Sequence, residues 1–187
     1  MSTYGLTGKL LIAGPTIEDP RFDNSVVYVC DHTPDFALGF ILNRPFGDMI
    51  MGEFLPALGV EVSEKNRNVP ILTGGPVEME RGFILHTDDY FDDDHSLSTG
   101  EGLALTATKD ALSALSTHQA PRQFAFFLGY SGWGQGQLDA EVKDNAWLVA
   151  EPDDDLLFGH QFDSKWRAAL GSIGVAASRL GSCAGSA

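Results

Sequence analysis

The chain has 187 residues, 43% of them apolar, with 12 Phe and 3 Trp, which is enough to build one sizeable core. Its 12 Lys and Arg face 26 Asp and Glu, a net charge of −14, the opposite of the clustered basic footprint of a direct nucleic-acid binder. No apolar run approaches a membrane span, and the N-terminus lacks a signal h-region and cleavage site, so a cytoplasmic protein with no membrane partner is expected.

Residues 9–13, "KLLIA", read as a first strand stopped by Gly14-Pro15. The apolar runs "SVVYVC" (25–30) and "ALGFIL" (37–42), separated by a turn-rich segment, predict a hairpin with a long loop. The stretch 47–59 predicts a short helix with Asp48 as N-cap, bent or ended early by Pro56. "VPILTGG" and "RGFILHT" read as strands around a Gly-Pro turn, and "EGLALTAT" as another. "TKDALSALSTH" predicts a helix capped by Thr108, with Leu112 and Leu115 on one face.

"RQFAFFLGY" is the most apolar strand and is placed at the centre of the sheet. "QLDAEVKDNA" predicts a helix, with Leu138, Val142 and Ala146 four residues apart and Asp139 paired with Lys143. "WLVAEP" is a strand. "DSKWRAALGSI" is a final helix presenting Trp166, Ala169, Leu170 and Ile173. No repeat or linker divides the chain, so residues 1–187 are expected to form one domain, with about 181–187 a mobile tail. Strands cluster early and helices come later, which favours an α+β fold with a mixed sheet.

Two acidic runs, "DDYFDDD" at 88–94 and "EPDDD" at 151–155, read as solvated loops. The two cysteines, Cys30 and Cys183, stand far apart, Cys30 in an apolar run and Cys183 in a small-residue tail, so no disulfide is expected. "CDHT" and "DDDHS" lack the ligand spacing of zinc or calcium sites, and no metal or cofactor is implied.

The stretch with most to say about function is "GYSGWGQGQL" (129–138). A nucleophile elbow needs G-x-S-x-G, and Trp133 stands where the second glycine belongs. A dinucleotide loop needs G-x-G-x-x-G, and Gln137 occupies the last glycine position. What remains is a glycine-rich bend that lets a backbone or a ligand come close, with Tyr130 and Trp133 able to wall a shallow pocket. Arg44 in "LNRPFG" and Arg81 in "MERGF" each end an apolar strand beside Gly or Pro. They predict either ordinary surface ion pairs or, with His32, an anion site.

These segments, in this order, resemble the YqgE/AlgH family of small bacterial proteins. "GKLLIAGPTIEDPRFDNSVVYVCDH", "LGFILNRP", "GGPVEMERGFILH" and "GYSGWGQGQLDAEVKDNAWL" match its successive blocks, across nearly the whole chain. The resemblance implies an α+β fold with a large, partly barrel-like mixed sheet flanked by helices, and no established reaction. Families of this kind are often labelled transcriptional regulators, a role that the charge makes indirect here. Ser131 stands where the family commonly has Ala, which weighs against a nucleophile. The candidate groove is therefore assigned to His32, Asn43, Arg44, Gly74, Gly75, Arg81, His86, Tyr130, Trp133 and Gln137. Its expected occupant is a small anion or a protein partner in a non-catalytic, regulatory role, with a hydrolase-like enzyme as the alternative.

Overall fold

The computed structural model describes residues 5–180. Strand β1 (Leu10–Ala13) is buried at every position because both of its faces are covered. Leu10 and Ile12 enter one core while Leu11 and Ala13 enter another, the period-2 alternation of a strand buried on both sides. β2 (Val26–His32) and β3 (Ala37–Ile41) form the expected antiparallel hairpin, with a bulge between Val29 and Asp31.

β4 (Pro45–Ile50) leads into α1 (Met51–Ala57), and β5 (Pro70–Thr73) precedes the long β6 (Val77–Thr87). β7 (Ser96–Gly100), β8 (Leu103–Thr106) and α2 (Lys109–Ala114) lead to β9 (Phe124–Trp133). α3 (Gln137–Lys143), β10 (Trp147–Ala150), α4 (Asp154–Phe158), α5 (Phe162–Ser172) and α6 (Ala177–Leu180) complete the described chain.

The sheet runs β10-β1-β2-β3-β9-β6-β8-β7, with β5 pairing β9 in parallel and carrying β4 outside it. That single parallel pairing makes an otherwise antiparallel sheet mixed. The sheet curls until β7 meets β2: the buried Tyr28 hydroxyl donates to the Thr99 carbonyl at 3.0 Å. Burial pushes the Tyr28 phenol up to about 12. The fold is thus an α+β domain built on a half-barrel. No helix among the described residues is long and apolar enough to cross a membrane.

The inside of the curl holds Leu10, Tyr28, Phe40, Phe83 and Phe127, closed by Leu170 of α5. On the outer face, Leu138 of α3 covers Trp133 and Trp147, while α1 and α2 cover Ile71, Ile84 and Phe126. Cys30 is buried and free, and burial with the neighbouring Asp31 charge drives its thiol well above the usual range. Cys183 and the expected tail lie outside the described residues.

Several expectations need correction. Residues 47–50 are strand, not helix, so Asp48 caps nothing; Ile50 occupies the N-cap of α1 without a side-chain bond. The "EPDDD" run is not all loop: Asp153 accepts the Leu156 N–H at 2.8 Å and starts α4, where acids favour the helix dipole. β7 has too little apolar alternation to read as a strand; closing the curl is what places it. Asp139 does not pair with Lys143 but faces His32, its Oδ2 lying 3.6 Å from Nε2.

Candidate functional site

The glycine-rich stretch is not a loop. Residues 129–133 continue β9, the bend is confined to 134–136, and Gly136 at φ 66° caps α3. Of the stretch's glycines, Gly129 serves close backbone packing, against Gly74 and Gly75. A Cβ on Gly74 would sit 2.3 Å from the Gly129 carbonyl oxygen, and one on Gly75 would sit 2.2 Å from the Tyr130 carbonyl group. Gly129 itself has φ +73°, and a Cβ there would lie 2.6 Å from the Gly75 carbonyl oxygen and 3.0 Å from that of Val77. Segments 74–77 and 129–131 therefore lie backbone against backbone, which fixes where Tyr130 and Trp133 stand.

Ser131 belongs to this seam. It has no exposed surface, and its hydroxyl donates to the Gly74 carbonyl at 3.0 Å. A serine so placed is out of reach of a substrate. That carbonyl also accepts the Ile41 N–H at 2.8 Å, so Ser131→Ala leaves it satisfied. The variant is expected to lose about 1 kcal/mol in denaturant unfolding, and the wild type should not react with a fluorophosphonate probe. A loss above about 3 kcal/mol, or covalent labelling at Ser131, would contradict this assignment.

Two depressions flank the end of β9 and share Val77, Gly132 and Trp133. The first, about 680 Å³, is chiefly apolar: Phe36, Leu38, Phe83, Leu97, Leu105 and Tyr130 contribute to its lining. Phe36 and Leu97 are 45% and 42% exposed there, which leaves large apolar side chains facing solvent. Tyr130 meets Phe83 edge-on at 5.8 Å. The second, about 620 Å³, carries Glu18, Asp19, Glu141 and Asp144 against one cation, Arg21. Arg21 is committed to Asp19, and its hydrogen bonds hold that carboxyl below the usual range.

Glu141 joins the two halves. Its Oε2 accepts the indole N–H of Trp133 at 2.9 Å and of Trp147 at 2.8 Å, while Oε1 accepts the Gln137 amide at 2.9 Å. Three neutral donors orient a carboxylate that belongs to none of the ion pairs among the described residues. Phe22 packs against both indoles, with centroids at 6.4 and 5.6 Å. Neither composition nor spacing singled out Glu141; the only local signal was its i,i+4 relation to Gln137.

The structure gathers some expected residues here and disperses others. Arg81, Tyr130 and Trp133 line the apolar depression, and Trp133 and Gln137 line the acidic one. Trp133 is only 5% exposed and acts as the wall between them. Gly74 and Gly75 form the backbone seam behind Tyr130. Arg81 reaches Glu78 at 3.7 Å and lies over the Phe83 ring at 5.0 Å.

Arg44 lines a different cavity, beside Asn43 and Trp166, and its guanidinium donates to the carbonyls of Arg21 and Asp23. Asn43 is a brace: its amide donates to Asn24 O at 2.8 Å and accepts Val26 N–H at 3.0 Å. His32 is buried beside Asp139 and lines neither depression.

His86 is buried too, and desolvation holds its imidazole below its ordinary pKa, hence neutral. Its Nδ1–H donates to Thr87 O at 2.9 Å, so Nε2 accepts the Thr106 hydroxyl at 2.8 Å. One concave surface holding Arg44, Arg81 and the Tyr130–Trp133 segment together is therefore not formed.

Comparison with known proteins agrees with this architecture. The AlgH-like family model matches residues 10–178. The chain is similar to a UPF0301 protein of Caulobacter vibrioides, 46% identical over 183 residues, covering 97% of this chain and 94% of that one. It is equally similar to one of Ruegeria pomeroyi, 46% identical, covering 97% and 99% of the two chains. The solution structure of the AlgH protein from Pseudomonas aeruginosa superposes with a TM-score of 0.78 at 35% identity, covering 100% of this chain and 98% of that one. Protein DIP2367 from Corynebacterium diphtheriae shares the fold, with a TM-score of 0.71 at 18% identity and coverage of 91% and 87%. The chain belongs to the AlgH-like family.

Proposed function

We propose that this is a non-catalytic binding protein whose groove takes an extended segment of a partner protein, with an apolar anchor beside Lys or Arg. The observation that carries this is the junction itself. A depression with exposed Phe36 and Leu97 meets one walled by Glu18, Asp19, Glu141 and Asp144, across Val77, Gly132 and Trp133. The apolar half offers area that an anchor side chain would remove from water. The acidic half supports a basic neighbour by charge complementarity, which sets specificity and encounter rate more than affinity.

A small anion is poorly served by the same groove. Arg44 is tied to backbone carbonyls elsewhere, Arg81 faces Glu78, and the nearby carboxylates would repel a negative charge.

Selection from a random-peptide display library on the immobilised protein tests the reading. The expected result is enrichment of peptides pairing an aromatic or large aliphatic residue with Lys or Arg, with the enrichment lost on a Phe36→Asp/Leu97→Asp double variant. No enrichment, acidic binders, or binders indifferent to the double variant would count against it.

A further inference from the structure

We propose a second site, at the other end of β9, that binds a small phosphate-bearing organic anion through Lys65, Arg122 and His160. The site is an open depression of about 420 Å³ bounded by the turn at Glu64–Asn66, the segment 115–124 and the stretch 158–160. It shares no lining residue with the groove. Phe124 lines it and Tyr130 lines the groove, six residues and about 20 Å of strand away.

The charge of the depression runs against that of the protein. Its ionisable lining is Lys65, Arg122 and His160, with no Asp or Glu, in a chain with 26 acids and 12 Lys and Arg. Neither Lys65 nor Arg122 belongs to an ion pair among the described residues. Asp89 feels the Arg122 charge, but its carboxylate accepts the Arg122 backbone N–H at 2.9 Å and the Thr87 hydroxyl. The guanidinium fork and the ammonium are thus left to an outside partner, the one for bidentate and the other for point-charge recognition of phosphate. His160 adds a ring donor whose plane is held by stacking on Phe162 at 5.7 Å.

The walls are fixed in advance. Ser63 N–H donates to the Ser116 hydroxyl at 3.0 Å, which donates to Glu61 O at 2.9 Å, and the buried Asn66 amide donates to Leu115 O at 2.7 Å. Gln123 Oε1 has no exposed surface and no hydrogen-bond partner among the described residues. Val69, Leu115, Phe124 and Phe158 give the otherwise polar wall an apolar part, which favours an organic phosphate over the bare ion.

Isothermal titration of the whole chain with phenyl phosphate, inorganic phosphate and phenol tests this site. Phenyl phosphate is expected to bind more tightly than inorganic phosphate, and phenol not at all. In Lys65→Ala/Arg122→Ala the phenyl phosphate affinity should fall by about tenfold or more. Both side chains are exposed, so the melting temperature without ligand should stay within about 2 °C of wild type. Arg44→Ala/Arg81→Ala should bind as wild type does. The proposal is overturned by absence of binding at millimolar phenyl phosphate, by unchanged affinity in the Lys65/Arg122 variant, by equal affinity for inorganic phosphate, or by loss in the Arg44/Arg81 variant.

Discussion

Gly75→Ala is expected to destabilise the protein by about 3 kcal/mol or more, against a typical total of about 5–15. The added Cβ would lie 2.2 Å from the carbonyl carbon and oxygen of Tyr130 and 2.4 Å from the Ser131 nitrogen. All three are main-chain atoms of a central strand, so no side-chain rotation relieves the clash. Its relief requires the 74–77 segment to lift off β9, which would break the Gly74 N–H bond to Leu128 O and the Ser131 bond to Gly74 O. Urea unfolding of the purified variant measures the cost. Gly47→Ala is the comparison: its Cβ would meet nothing within 4 Å, so only the strain of its φ of +56° should register, about 1 kcal/mol. A Gly75→Ala protein as stable as wild type would remove the backbone seam from this account.

Glu141→Leu is expected to cost about 4 kcal/mol and to disorganise the acidic half of the groove. The substitution leaves the indole N–H groups of Trp133 and Trp147, both buried, without their acceptor. Each orphaned donor costs about 1–3 kcal/mol. Glu141→Gln keeps a carbonyl oxygen for the two indoles and should lose roughly half as much. The near-ultraviolet circular dichroism of the Trp133–Trp147 pair, edge-on at 6.1 Å, should change in the Leu variant and persist in the Gln variant. Equal stability of all three proteins would show that the carboxylate does not organise the tryptophans.

These two expectations also mark where the sequence was legible and where it was not. The strands were readable because burial on both faces leaves long apolar runs, as in "FAFFLG" and "SVVYVC". Thr108 was readable as a cap because its hydroxyl accepts the Ala111 N–H, a local bond with a local signature. The signature glycines carried the right physics, close approach. The partner is the chain's own backbone, and spacing along a chain does not distinguish that from a ligand.

Glu141 was invisible because its importance comes from two tryptophans brought together by separate strands. Arg44 and Arg81 looked alike in sequence, each ending an apolar run. In three dimensions one folds back onto the carbonyls of residues 21 and 23, while the other lies over Phe83. The partners of Arg44 lie 23 and 21 residues back and could not be read from its neighbours, whereas Arg81 stays with Glu78 and Phe83 close by in sequence, the ordinary surface ion pair that was one of its two expected outcomes.

The most direct test of the groove is the dissociation constant of a display-selected peptide for wild type, Leu97→Asp and Leu58→Asp. Leu58 is the control because it is as exposed as Leu97, 47% against 42%, yet lies beyond α1 and outside the groove. The account predicts at least about a tenfold loss with Leu97→Asp and none with Leu58→Asp. Equal affinity for all three proteins would contradict it and place the peptide elsewhere on the surface.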